Sequence, residues 1–506
     1  MVGIGGRSKG CKTCRRRRVK CDEGKPHCQR CCKANIQCDG YIQYAEFVDV
    51  TSQLTSKRSS KKAKSTVLSS AGSTGSNDSV VELPFMPLTV NPAFDEQIVF
   101  TSHLINRLFS WATDPNSPAS ASWILSLTCP TEDEQGVSTS SLRALATAYF
   151  GKTHGHYELV RKGAGFYSRA LTSLREKLQD SSHVLGDEVL VAIICMGIYE
   201  LVTFDQPNGW LHHYKGLARL TALRGPHCFQ AGIAHALLPT LRSCISIGYI
   251  VERKRCFLDD LEWKTIPWAI KGIDSKEPIS HLHDYLSDLP GFLEDMDRVV
   301  NWPAYEPGLD DFKAAYGGRV YATLEAVYTW RWDWEQKFPN ATYLISPKDL
   351  DAEVTLGLPH SPFQSIIWFS NAYRATELIT YNCIRLIATR ALEISGISID
   401  IPLSEVNSTD PLMPMQGTRH DVAVETCRMM NYHLHVLRRS SGAFMLLFPL
   451  NVSYIHLEGD NEGAKTWLEG VMAVVADMHG FEIGRKENLP RQAQLTGTGT
   501  KAPTPA

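Results

Sequence analysis

The sequence predicts a two-part fold: a small irregular module of two short helices caged by cysteines, followed by a large all-α body. Three observations carry this reading. Six cysteines near the start repeat one spacing, a Ser-, Thr-, Gly- and Lys-rich stretch follows with little apolar periodicity, and from about residue 94 apolar residues recur at helical intervals. The 506 residues allow roughly three units of about 150. Hydrophobic residues at 43% and charged residues at 21% match a chain whose bulk folds. The expected organisation is a flexible tail over 1–10, the cysteine module over 11–38, a flexible linker over 39–93, a helical body over 94–485 and a disordered tail over 486–506.

Net charge is −2, but it is unevenly spread. Residues 1–64 hold 16 lysines and arginines against 5 acids, a surplus of +11 that leaves −13 for the remainder. A basic head on an acidic body implies that the head meets a polyanion. The first ten residues, MVGIGGRSKG, contain no apolar run of signal-peptide length. Unbroken apolar runs such as Val189–Tyr199 fall short of the roughly 20 residues a span requires. An intracellular chain without a membrane partner is therefore expected.

Within the head, Cys11-x2-Cys14-x6-Cys21 returns after six residues as Cys28-x2-Cys31-x6-Cys38. In a reducing compartment such an array of thiols is a metal cage and not a set of disulfides. Zinc takes four tetrahedral ligands and favours thiolate. Two zinc ions need eight ligand positions, so with six sulfurs two must be shared, and the pseudo-symmetry nominates Cys11 and Cys28. Cys32 breaks the repeat and is expected to point away. The other seven cysteines, Cys129 to Cys427, stand singly and are expected to be buried hydrophobes.

These spacings, together with Pro26 in the loop DEGKPHC, resemble the fungal Zn(2)Cys(6) binuclear cluster of a large class of transcription factors. The resemblance implies a zinc-stabilised Zn2Cys6 module holding two Zn2+. One ion would be held by Cys11, Cys14, Cys21 and Cys28, the other by Cys11, Cys28, Cys31 and Cys38. A segment this short and this poor in apolar residues folds only with its metal.

The two halves differ in charge. Between Cys14 and Cys21 stand RRRRVK, between Cys31 and Cys38 CKANIQ, so the first half is the expected contact surface. Residues three apart on a short helix after Cys14 lie about 60° apart around the axis, so the four arginines cannot all face one groove. The resemblance assigns base reading to the end of that run, Arg17 and Arg18, and a CGG-type triplet in double-stranded DNA as the target. Arginine forks suit guanine O6 and N7 in the major groove. Lys12, Arg15, Arg16, Lys20 and Lys25 are assigned to phosphates or to the general field, which fix register without carrying sequence.

In the linker, KRSSKKAK over 57–64 reads equally as a nuclear localisation patch or as a solvated basic tether. There is no sustained heptad after the cluster; a homodimer would need another element. In the body, Phe166, Tyr167, Ala170, Leu171, Leu174 and Leu178 fall on one face of a helix. DEVLVAIICMGIYELVTF (187–204) is apolar nearly all round, which predicts a helix at the centre of a bundle. QPNG and RGPH are expected breaks. The blocks FYSRALTSLREKL, LVAIICMGIYEL and GWLHHYKGLARLTALRG, the last with Trp210, His213 and Gly216 as W-x-x-H-x-x-G, resemble the helical fungal-specific transcription factor domain. That resemblance implies regulation through co-regulators or a small effector. His212, His213, His154 and His156 lack metal or acid–base partners, YTWRWDW (328–334) reads as core packing, and no phosphate loop occurs, so no enzyme is expected. Taken together, the expectation is a nuclear, sequence-specific regulator of RNA polymerase II transcription, acting on metabolic or secondary-metabolite genes. The alternative is an effector-sensing helical protein whose head only tethers it to chromatin.

Overall fold

The computed structural model describes residues 11–17, 19–22, 28–34, 36, 38, 95–110, 123, 136–179, 186–206, 208–350, 357–398, 418–457 and 463–488. Arg18, Lys25, Pro26, the tail 1–10, the linker 39–93 with its basic patch, and the tail beyond 488 lie outside them. The chain divides into two units, Met1–Thr89 and Val90–Ala506. In the first, α1 (Lys12–Arg16) and α2 (Gln29–Lys33) are the two short helices expected.

The second unit opens with α3 (Glu96–Leu108), whose first turn is capped by the Asp95 carboxylate accepting from the Gln97 N–H at 2.9 Å. Then come α4 (Val137–Thr153), α5 (Tyr157–Gln179) and α6 (Asp187–Thr203). Every residue of α6 from Val189 to Thr203 is buried. A helix apolar all round must be covered on all sides, and α4 and α7 (Gly209–Arg224) supply much of that cover. Helix α6 ends at Phe204 in the left-handed region, φ 51°, and α7 at Gly225, φ 74°. Both ends fall at the expected breaks.

Helix α5 corrects the predicted apolar face. Ala170 and Leu174 are buried, but Leu171 and Leu178 are 40% and 41% exposed. Helix α5 approaches α4 closely at Gly163, where a Cβ would lie 2.9 Å from Ala148. The stripe that α4 covers is therefore narrower than the one the spacing suggests.

The chain continues through α8 (Gly232–Glu252), α9 (Leu261–Thr265), α10 (Pro278–Val300) and α11 (Leu309–Lys337). Helix α8 is long and apolar enough to cross a membrane by length and composition, which a search for unbroken apolar runs overlooks because Pro239, Arg242 and several hydroxyls interrupt it. It carries buried Arg242, paired with Asp284 of α10, and its Leu237, Leu238 and Leu241 lie in the core. In α11, Trp330 and Trp334 are core residues as expected: Trp330 stacks on Tyr381 at 5.9 Å, and the Trp334 indole donates to Glu377 at 2.7 Å.

A short antiparallel ribbon, β1 (Thr342–Ile345) with β2 (Ile366–Phe369), is set into the otherwise all-α body. Ile366, Ile367 and Phe369 are all buried, so four apolar residues in a row hide any period-two signal. The fold closes with α12 (Ala372–Ile394), α13 (Arg419–His433), α14 (Arg439–His456) and α15 (Ala464–His479). A capping box between Thr418 and Asp421 starts α13.

Candidate metal centre and nucleic-acid interface

The x2 spacing has a local physical cause. Cys11 precedes α1, and its Sγ accepts from the Cys14 N–H at 3.3 Å; Cys28 caps α2, and its Sγ accepts from the Cys31 N–H at 3.3 Å. Each first cysteine thus accepts from an N–H in the first turn of the helix that carries the second. A third bond, from the Cys11 N–H to Cys21 Sγ at 3.4 Å, draws the end of the first half back to its start.

The six sulfurs gather into two sets of four, Cys11, Cys14, Cys21, Cys28 and Cys11, Cys28, Cys31, Cys38, with the atoms of each set within 4.8 Å of one another. The first cysteines of the two halves belong to both sets. Cys11 lies 3.6 Å from Cys28 and 3.8 Å from Cys31, and Cys14 lies 3.6 Å from Cys28 and 3.8 Å from Cys31. A disulfide would need about 2.05 Å. Zinc–sulfur bonds of about 2.3 Å in a tetrahedron place sulfurs roughly 3.8 Å apart, so the donor set fits the metal in both chemistry and spacing. The contact between Cys14 and Cys31 runs across the two sets and makes the four buried sulfurs one compact knot.

Cys11, Cys14, Cys28 and Cys31 are fully buried, with Val19, Cys21 and Cys38 packed against them. Burial pushes the Cys14 and Cys31 thiols up to about 12. Thiols in such a place keep their protons unless a cation compensates the thiolate charge. Cys32 is exposed and belongs to neither set, as its break in the repeat implied.

Helix α1 carries Lys12, Arg15 and Arg16, and Arg17 extends its path through an N–H bond to the Thr13 carbonyl at 3.1 Å. Val19 N–H then bonds back to the Cys14 carbonyl at 3.1 Å and turns the chain. Arg16, Arg17 and Lys20 are exposed. Two residues escaped sequence reasoning. The Asp22 carboxylate accepts from the Gln29 and Arg30 N–H groups at 2.9 and 3.1 Å, and Arg30 Nη1 donates to the Lys20 carbonyl at 3.2 Å. Backbone bonding holds the Asp22 carboxyl below its ordinary range. An acid inside a basic stretch was the one available hint.

In the body, His213 is structural. Its Nε2 lies 2.6 Å from the Tyr167 hydroxyl, which also donates to Glu200, so the group ties α5, α6 and α7 together. Burial lowers His213 to about 4 and keeps it neutral. Trp210 is buried beside Tyr214, while a Cβ on Gly216 would meet open space. His154 and His156 are exposed.

The cysteine geometry and the helical body define a two-unit chain with a cluster of sulfurs able to hold metal in the first unit. Residues 9–44 match the family model of the fungal Zn(2)-Cys(6) binuclear cluster domain, and residues 116–247 match that of the fungal specific transcription factor domain. The first match falls on the segment whose six sulfurs form two sets able to hold metal, and the second falls within the helical body.

An uncharacterized protein of Emericella nidulans is 29% identical over 204 residues, 39% of this chain and 42% of that protein. The phomenoic acid biosynthesis cluster-specific transcriptional regulator of Leptosphaeria maculans is 23% identical over 269 residues, 51% of this chain and 50% of its own. The aspercryptin biosynthesis cluster-specific transcription regulator of Emericella nidulans is 62% identical over 39 residues, 8% of this chain and 6% of its own. The chain thus spans half or less of the length of these relatives. No solved structure matches.

Proposed function

We propose that this chain is a nuclear, sequence-specific regulator of RNA polymerase II transcription, without enzymatic activity, that reads CGG-type triplets in the major groove. Cys11, Cys14, Cys21 and Cys28 hold one zinc, and Cys11, Cys28, Cys31 and Cys38 the other. Arg17 and Arg18 contact guanine edges; Lys12, Arg15, Arg16, Lys20 and Lys25 contact phosphates or supply field. One juxtaposition carries the reading: the two four-sulfur sets adjoin a helix end at which Arg16, Arg17 and Lys20 stand exposed. Bound zinc supplies rigidity and no reaction. The residues of the chain do the rest, because an arginine at a fixed helix end can fork onto one base, whereas one on a floppy segment finds only phosphate.

The regulated genes are biosynthetic, as the names of two relatives suggest. The body receives co-regulators or a small effector. A cleft of about 670 Å³ along α10 and α11, lined by His281, Tyr285, Trp330 and Trp334, has the volume such a ligand needs.

Selection of bound duplexes from a random pool by the full zinc-loaded chain tests the reading. Enrichment of CGG is expected, along with its loss when Arg17 and Arg18 are both changed to Ala. Binding without any enriched triplet would overturn sequence-specific reading and leave a chromatin tether. A change of Lys20 to Ala weakens binding to all sequences alike and flattens the slope of log affinity against log salt by roughly 0.9.

A further inference from the structure

We infer that Asp22 and Arg30 form a brace that positions the basic segment for base reading, a role that rests on the DNA-reading function proposed above. The stretch from Cys14 to Cys21 is anchored by a sulfur at each end. Two anchor points leave a segment free to swing about the line joining them. Within the stretch, the backbone bond from Val19 to Cys14 closes the helix end, but it lies on the same side as the first anchor. The third point comes from the other half of the repeat. Arg30 Nη1 donates to the Lys20 carbonyl at 3.2 Å, and the start of α2, from which Arg30 projects, is itself fastened by the Asp22 carboxylate through the Gln29 and Arg30 N–H groups at 2.9 and 3.1 Å.

The two links, one through Asp22 and one through the Arg30 side chain, run in opposite directions across the pseudo-symmetric halves. Asp22, one residue past Cys21, holds the second helix; Arg30, on the second helix, holds the residue before Cys21. Neither is among the six sulfurs, and Cys31 lies beyond Arg30 with its own cap bond to Cys28. The brace therefore acts on orientation and not on the cage. It also gives the second half a share in the contact surface, because exposed Arg30 sits against the backbone of exposed Lys20. Asp22 and Arg30 are positioning residues: they act through Arg17 and the residue that follows it.

The test compares the full zinc-loaded chain with D22A, R30A, R30K and the D22A/R30A double variant. It reads zinc per chain and affinity for a CGG duplex against a scrambled duplex of equal length. D22A and R30A are expected to retain two zinc ions and to lose about fivefold of their preference for CGG, the scale of losing one capping hydrogen bond. Binding to the scrambled duplex should change by less than twofold for D22A. R30K, which can still donate to the carbonyl, should recover most of the preference, and the double variant should lose little more than either single one. Full zinc with unchanged preference in both single variants overturns the brace, as does equal weakening on both duplexes. If D22A fails to hold zinc, R30A decides alone, since it leaves the Asp22 bonds to backbone intact. A wild-type chain with no preference for CGG overturns the proposed function itself, and the brace with it; a wild type that prefers CGG beside indifferent variants overturns the brace alone.

Discussion

The head and the body of this chain are held together by opposite means. In the head the fully buried hydrophobic positions among the described residues are four cysteines, with Val19 packed beside them. In the body, Val189 to Thr203 of one helix alone are buried on every side, within a core that extends from Phe100 to Phe481. A body of that kind is stabilised by apolar area removed from water, which needs no cofactor. The head has no comparable area, and its sulfurs are only tolerable as buried groups when protonated or metal-bound. Two folding mechanisms in one chain imply two independent ways of losing structure, and this can be tested.

The largest contrast comes from metal removal. Structural zinc contributes on the order of 10–16 kcal/mol to small finger domains. A strong chelator should therefore abolish DNA binding while the helical circular dichroism of the body, and its thermal transition, stay unchanged. A parallel loss of both signals would show that the units are not independent. Cys14→Ser should act in the same direction as chelation on zinc content, whereas Cys32→Ser, at an exposed thiol outside both sets, should leave zinc content at the wild-type value by elemental analysis.

The converse change strikes the body. Leu237 is fully buried in α8, and Leu237→Ala should cost about 3 kcal/mol through lost burial and a residual cavity. Denaturant unfolding should register this cost in the body's transition, with zinc content and the CGG preference of the folded chain intact. Loss of zinc in that variant would break the comparison.

The smallest effect sharpens it. His213 is lowered by burial to about 4, against an ordinary value near 6.5. Its folded value is depressed, so its contribution to stability is fully present above about pH 6.5 and is lost as pH falls towards 4. His213→Gln should reduce the acid slope of the body's unfolding midpoint in that window by on the order of 1 kcal/mol. An unchanged slope would remove His213 from the account and leave the decline to the other buried histidines, such as His283 and His433, which burial lowers to about 3.

How much was legible in advance differs between the units for the same reason. The sulfur sets were legible because a cysteine that caps a helix and one three residues later are neighbours by local geometry alone, and the repeat doubles that signal. Exposed Cys32 followed from the same rule. The central helix α6 was legible because an unbroken apolar run has only one place to go. Where a face had to be matched to a neighbour, sequence reasoning overreached: Leu171 and Leu178 share the spacing of Leu174 but stand clear of α4. The ribbon of β1 and β2 went unseen, since two four-residue strands carry too short a pattern. Helix α8 was overlooked as a long apolar element because polar residues interrupt its runs, and Arg242 among them is accommodated by Asp284 and the Ser280 carbonyl of another helix.

By itself, the sequence determined that the chain has a basic head with six sulfurs in two sets and a helical body. Those are consequences of spacing, charge and periodicity, which act between residues close together in the chain. Only the tertiary structure decided that Asp22 and Arg30 bind across the two halves, that Tyr167 joins Glu200 and His213, and which leucines of α5 are covered. Each of these depends on where separate segments come to rest, and hydrogen bonds over 3 Å or packing over 4 Å are too short-ranged to be read from the order of residues in the chain.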